Sequence, residues 1–132
     1  MAKSEPAARS ETKSGEPYCP EVGDFVWLDF HPQAGREQDG WRSALVLSPA
    51  RYNQIARLCI ACPVTTQDKL NRFQVQIPDG CEVSGWIISD QVKSISWFDR
   101  GSQFRGRCPD PTFAETIAKI RTLIPLHGAR TD

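Results

Sequence analysis

Hydrophobic and polar positions alternate in short blocks along most of this chain, the spacing of strands rather than of long helices. Phe25-Val-Trp-Leu-Asp-Phe30 is dense in aromatic and β-branched residues and predicts a first strand. His31 to Trp41 follows with Pro32, Gly35 and Asp39-Gly40 among charged residues and no apolar period, so it predicts a long loop. Ala44-Leu-Val-Leu47 is the second strand. Ser48-Pro49-Ala-Arg-Tyr-Asn-Gln-Ile55 then suits a short helix with Ser48 as N-cap and Pro49 in its first turn. Arg57 to Val64 predicts a third strand. Arg72-Phe-Gln-Val-Gln-Ile77 alternates strictly, as a strand with one wet face does, and stops at Pro78-Asp79-Gly80. Trp86-Ile-Ile88 and Val92 to Trp97 supply two more strands or one bent one. An irregular stretch holding Arg100, Arg105 and Arg107 leads to Asp110-Pro111. There a helix is predicted to open, with Phe113, Ile117, Ile120 and Ile124 on one face against the sheet.

Short strands, tight turns, one long loop, a short helix after the second strand and a C-terminal helix together predict a mainly β fold, a small antiparallel barrel closed on one side by that helix. The chain divides into an N-terminal tail over 1–22, expected to be disordered or loosely docked, a barrel domain over 23–125, and a C-terminal tail over 126–132. With 132 residues it has room for one domain and for a core that needs no staple. Its longest apolar run, Leu58 to Cys62, is far short of the ~20 residues a membrane helix requires. The first twenty residues lack the apolar stretch of a secretory signal, so the cytoplasm is expected and no membrane partner is.

Sixteen basic residues balance sixteen acidic ones, and the balance holds in each region of the chain. Any nucleic-acid site must therefore be local rather than a general polyanion coat. Five cysteines without a signal peptide point to reduced thiols. Cys59-x-x-Cys62 lacks the second close pair that a zinc site would want, and in a strand its two thiols face opposite ways. No GxxxxGK[ST], GxGxxG or HExxH run is present, so no nucleotide cofactor and no metal are expected. With only two histidines, chemistry falls to Arg, Glu, Asp, Thr and Ser, which gather in three segments: 32–42, Pro63 to Gln67, and Asp90 to Ser94.

The runs Gly23-Asp-Phe-Val-Trp-Leu-Asp29-Phe-His-Pro32, Gly35-x-Glu37-Gln38-x-Gly40-x-Arg42, Leu47-Ser-Pro-x-x-Tyr-Asn53, Pro63-Val-Thr-Thr-Gln67 and Asp90-Gln-Val-Lys-Ser-Ile95 stand in one order and spacing. Together they resemble the MazF branch of the MazF/PemK toxins, from Gly23 to about Arg100. The resemblance implies an SH3-like barrel of the PemK/CcdB kind with a C-terminal helix. It implies a homodimer and a sequence-specific endoribonuclease that cuts single-stranded RNA without a metal and is held inactive by a cognate antitoxin. Residue by residue, the catalytic arginine falls on Arg42, the catalytic threonine on Thr65 and the loop glutamate on Glu37. The RNA contacts expected around them are Gln38, Trp41, Thr66, Gln67, Gln91 and Lys93. Ser43 departs from the pattern, since proline usually follows the arginine.

Metal-free cleavage needs a proton acceptor for the ribose 2′-OH, a donor for the leaving oxygen and a holder for the dianionic phosphorane. Arg42 suits the last role because a planar guanidinium binds two phosphoryl oxygens, and with a pKa above ~12 it is no base. Glu37 is the acceptor, and Thr65 a hydroxyl donor to phosphate. Each has a structural alternative: Arg42 as an ion-pair partner of Asp39 or Glu37, and Thr65-Thr66 as strand-end residues in a turn. Trp41, in a polar loop, can stack on an unpaired base, whereas Trp27, Trp86 and Trp97 are expected in the core or a dimer contact, with Trp86, Ile88 and Trp97 as interface candidates. A non-catalytic barrel toxin that binds a protein target such as gyrase is the alternative function.

Overall fold

The hydrogen-bond ladder converges on the strand Cys59–Thr65. In the computed structural model, which describes residues 18–30 and 40–128, β1 spans Asp24–Asp29, β2 Trp41–Val46, α1 Ala50–Ala56 and β3 Cys59–Thr65. Next come β4 (Gln74–Gln76), β5 (Trp86–Ile88), β6 (Lys93–Ile95), β7 (Gln103–Arg107) and α2 (Asp110–Leu123). Every pairing is antiparallel. One edge of β3 pairs with β2, and the other pairs first with β6 through Cys59–Ala61 and then with β5 through Val64 and Thr65. The strand order is β4-β5-β3-β2-β1-β7. No ladder joins β4 to β7 among the described residues, so this small barrel is open.

Period-2 alternation gives each face of the sheet its own core. Val26, Leu28, Ala44, Val46, Cys59 and Ala61 build one cluster with Ile95 and Trp97. Phe25, Leu45, Cys62 and Val64 build the other with Val75 and Ile87, and α2 closes it through Phe113 and Ile120. Cys59 and Cys62 therefore lie in opposite clusters, as their spacing in a strand requires, and burial pushes both thiols up to about 12.

Several expectations are corrected. The described end of the expected tail, residues 18–22, is packed against the barrel: Tyr18 and Pro20 are buried, and the Tyr18 hydroxyl donates to the buried Asp24 carboxylate, which also pairs with Arg107 at 2.9 Å; residues 1–17 lie outside the described residues. Ser48 is not the cap of α1; Pro49 holds that position without a side-chain bond. The Ser48 hydroxyl instead donates to Asn53 Oδ1 at 2.6 Å and accepts the Ile60 N–H at 2.9 Å, joining α1 to β3. The basic stretch before α2 is not irregular, because Gln103–Arg107 is strand β7 on the free edge of β1. Charged residues on an edge strand hide its alternation from a hydrophobicity reading. Trp97 is a core residue of the single chain, 5% exposed, with its indole N–H donated to the Asn53 carbonyl at 3.0 Å, so it is removed from the interface candidates. Trp86 and Ile88 are half-buried. Ile124 follows the last turn of α2 as its C-cap and is 63% exposed, off the buried stripe; Thr112 and Thr116 are instead the helix's buried residues.

Candidate functional site

β2 is longer than expected at its start, reaching back to Trp41, and this extension puts Arg42 inside the sheet. The β2–β3 ladder runs Val46↔Ala61, Leu45↔Cys62, Ala44↔Pro63. Continued by two residues, the same register sets Arg42 opposite Thr65 on one face of the sheet. On its other edge Arg42 is fixed by pairing with Leu28 of β1. Its guanidinium lies over the Phe30 ring, 5.8 Å from the centroid.

Beside this pair opens a groove of about 600 Å³. Trp41, Arg42, Thr65, Thr66, Gln67 and Gln91 all line it, so six of the expected residues, drawn from three segments, meet at one place. Lys93 does not; it sits on β6 with its ammonium 5.9 Å from the Phe30 ring. Glu37 and Gln38 lie outside the described residues. Ser43 also lines the groove, within β2 and paired with Trp27.

Hydrogen bonds leave the Thr65 hydroxyl set up as a donor. Its oxygen accepts the Gln67 N–H at 3.1 Å, which leaves its own proton to be given to a ligand. The loop after it is tied to β4: the Gln74 amide donates to the Gln67 carbonyl at 3.1 Å and accepts the Lys69 N–H at 2.9 Å. From below, Gly85 presses on Thr65. A Cβ at Gly85, where φ is +122°, would lie 2.3 Å from the Thr65 carbonyl oxygen, so only glycine permits this approach.

Sequence reasoning missed four contributors. Lys69 and Ser84 line the groove, Trp27 is half-buried in its wall rather than a core residue, and Gly85 sets the height of Thr65. Only Gly85, a glycine immediately before a strand, carried a signal that could have found it. Among the described residues of the lining, Arg42 and Lys69 are the ionisable ones. In a chain with no net charge, the described part of this lining therefore offers two cations beside hydroxyls and amides suited to phosphate and base edges.

An open antiparallel barrel carrying such a groove at the β2–β3 junction is the architecture of a small toxin barrel. The chain belongs to the family of PemK-like, MazF-like toxins of type II toxin–antitoxin systems, whose model matches residues 21–124. It is similar to the endoribonuclease toxin MazF of Escherichia coli K12, 43% identical over 107 residues that cover 81% of this chain and 96% of that one. A crystal structure of MazF from Deinococcus radiodurans superposes with a TM-score of 0.76 at 42% identity, covering 83% of this chain and 99% of that one. A MazE–MazF crystal structure from the same organism gives a TM-score of 0.78 at 42% identity, covering 83% and 98%.

Proposed function

We propose that this protein is a sequence-specific, metal-independent endoribonuclease toxin that cleaves single-stranded RNA and so inhibits translation. The observation that carries this reading is the one groove that Arg42 and Thr65 line together, in a chain whose relatives are named endoribonucleases. The ribose 2′-OH attacks the adjacent phosphorus, giving its proton to Glu37; the O2′–P bond forms and the P–O5′ bond breaks. The leaving 5′-oxygen takes up a proton, so the products end in a 2′,3′-cyclic phosphate and a 5′-OH. Arg42 holds two oxygens of the phosphorane, and Thr65 donates its free proton to the phosphoryl group. Gln38, Trp41, Thr66, Gln67 and Gln91 contact the strand around the cut, and Lys93, near the same Phe30 ring as Arg42, contacts it outside the groove.

The MazE–MazF structures support a cognate antitoxin as partner; in this reading a segment of it covers the groove and competes with RNA. The working unit is a homodimer in the cytoplasm; no helix among the described residues is long and apolar enough to cross a membrane. Arg42 and Thr65 in one groove favour an enzyme over a barrel that only binds a protein, which has no need of them. Incubation of the purified protein with mixed-sequence single-stranded RNA in chelator tests the reading. Discrete cuts are expected, and uncut RNA would overturn it.

A further inference from the structure

The three arginines of the 100–107 stretch have different surroundings. Arg100 donates to the Asp29 carbonyl at 2.8 Å, and Arg107 pairs with Asp24 at 2.9 Å. Arg105 instead lies over the Trp27 ring at 5.0 Å, and its Nε is buried with no hydrogen-bond partner among the described residues. Its position follows from the ladder. The β1–β7 pairing jumps from Phe25↔Gly106 to Val26↔Phe104, which leaves Arg105 as the extra residue of a β-bulge. Bulges re-aim a side chain beside a site.

Trp27 in turn stacks on Trp41, with centroids 6.1 Å apart and planes 24° from parallel. Arg105, Trp27 and Trp41 thus form one ladder that crosses from β7 over β1 to β2 and ends next to Arg42. Both indoles line the groove, whereas Arg105 stands beyond it, and Trp41 is 40% exposed. A stacked guanidinium keeps its edge donors available for phosphoryl oxygens, and an exposed indole accepts any unpaired base on its face.

We propose that this ladder is a nucleotide subsite outside the cleaved bond: Trp41 takes the base of a flanking unpaired nucleotide, and Arg105 holds a phosphate of the same strand. The proposal rests on the RNA-cleaving reading and extends the RNA track past the Arg42–Thr65 pair. It assigns to Arg105 and Trp27 a role in substrate affinity rather than in bond breaking.

The test uses the full-length protein and an RNA carrying its cleavage sequence with a 2′-deoxy residue at the cut, so that binding is read without turnover. An abasic nucleotide is walked outward from the cut, one position per oligonucleotide. At one flanking position the abasic step is expected to weaken binding about tenfold in the parent and to cost nothing further in Trp41→Leu. Arg105→Gln should lower the slope of log affinity against log salt by about 0.7, the loss of one phosphate contact to a single strand. On cleavable RNA the same variant should raise KM while kcat stays within about twofold. An abasic walk on the parent with no position-specific loss outside the cut overturns the subsite and needs no variant to fold. So does an abasic loss equally large in Trp41→Leu, or an unchanged salt slope in Arg105→Gln, the results expected of a ladder reserved for a protein partner. A parent that cuts no RNA would fail the endoribonuclease reading itself, whereas a parent that cuts RNA with any of these outcomes fails the ladder alone.

Discussion

Arg42 is held by its backbone pairing with Leu28 and by the Phe30 ring, so its guanidinium is aimed rather than free. Lysine at this position keeps the charge but replaces a rigid two-pronged donor with a point charge on a flexible stem. Arg42→Lys is therefore expected to bind RNA about as tightly as the parent and to cleave it ~10²–10³ times more slowly, the usual loss when one aimed donor is removed. Because the side chain is exposed, the thermal midpoint should stay within a degree or two. Near-parental cleavage would reduce the guanidinium to an electrostatic anchor, and an unfolded variant would make it a structural ion-pair residue. Gly85 gives the complementary test. Gly85→Ala sets a methyl 2.3 Å from the Thr65 carbonyl at a φ of +122°, so Thr65 must move. A stability loss of ~1–3 kcal/mol by urea titration is expected, with slower cleavage of RNA that still binds. Arg42 and Thr65 were legible in the sequence because a run of motifs named them. Gly85 left only the faint signal of a glycine before a strand, because its contribution is a close backbone approach, and Ser84 in the groove lining left none.

At the scale of elements, the sequence showed where the strands lie wherever one face is buried and the other wet, as in Gln74–Gln76, or where apolar residues are continuous, as in β3. It failed at β7, whose Gln-Phe-Arg-Gly-Arg run pairs with β1 but presents charge along an open edge and breaks its own alternation at the bulge. It also failed at the start of α1, where the serine expected as a cap is drawn into a buried polar junction. Asn53 is fully buried there and donates to the Pro20 carbonyl at 2.8 Å and the Ser48 carbonyl at 3.0 Å while accepting the Ser48 hydroxyl. That junction links the N-terminal arm, α1 and β3. Asn53→Ala strands two carbonyls and a hydroxyl inside the fold, and a destabilisation of ~2–4 kcal/mol is expected in denaturant melts. A loss below ~0.5 kcal/mol would mean that the junction contributes little.

Considered as a whole, the molecule is two apolar clusters on either side of one open sheet, with the groove where β2 and β3 leave both. Neither the openness of the sheet nor the division of the core was readable from alternation alone, since period 2 says which residues share a face and not what covers it. Cys59, Cys62 and Cys108 sit in these clusters, and burial holds all three thiols up at about 12. Their folded values exceed the unfolded value near 9, so the stability they contribute is intact below pH 9. It is lost as pH rises from 9 towards 12, by about 1.4 kcal/mol per pH unit for each thiol that ionises only on unfolding. In native protein at pH 8, alkylation followed by mass spectrometry should label the half-buried Cys81 well before these three, and labelling of Cys59 or Cys62 at the rate of Cys81 would contradict the packing.

The groove's central claim is that the substrate supplies its own nucleophile to an Arg42-held phosphate. The most direct measurement is cleavage of one RNA with and without a single 2′-deoxy residue at the cut, in chelator. Cleavage of the all-ribose strand to a cyclic phosphate and a 5′-OH, with the deoxy strand bound but uncut, is the predicted result. Efficient cutting of the deoxy strand would show a water nucleophile and contradict the account.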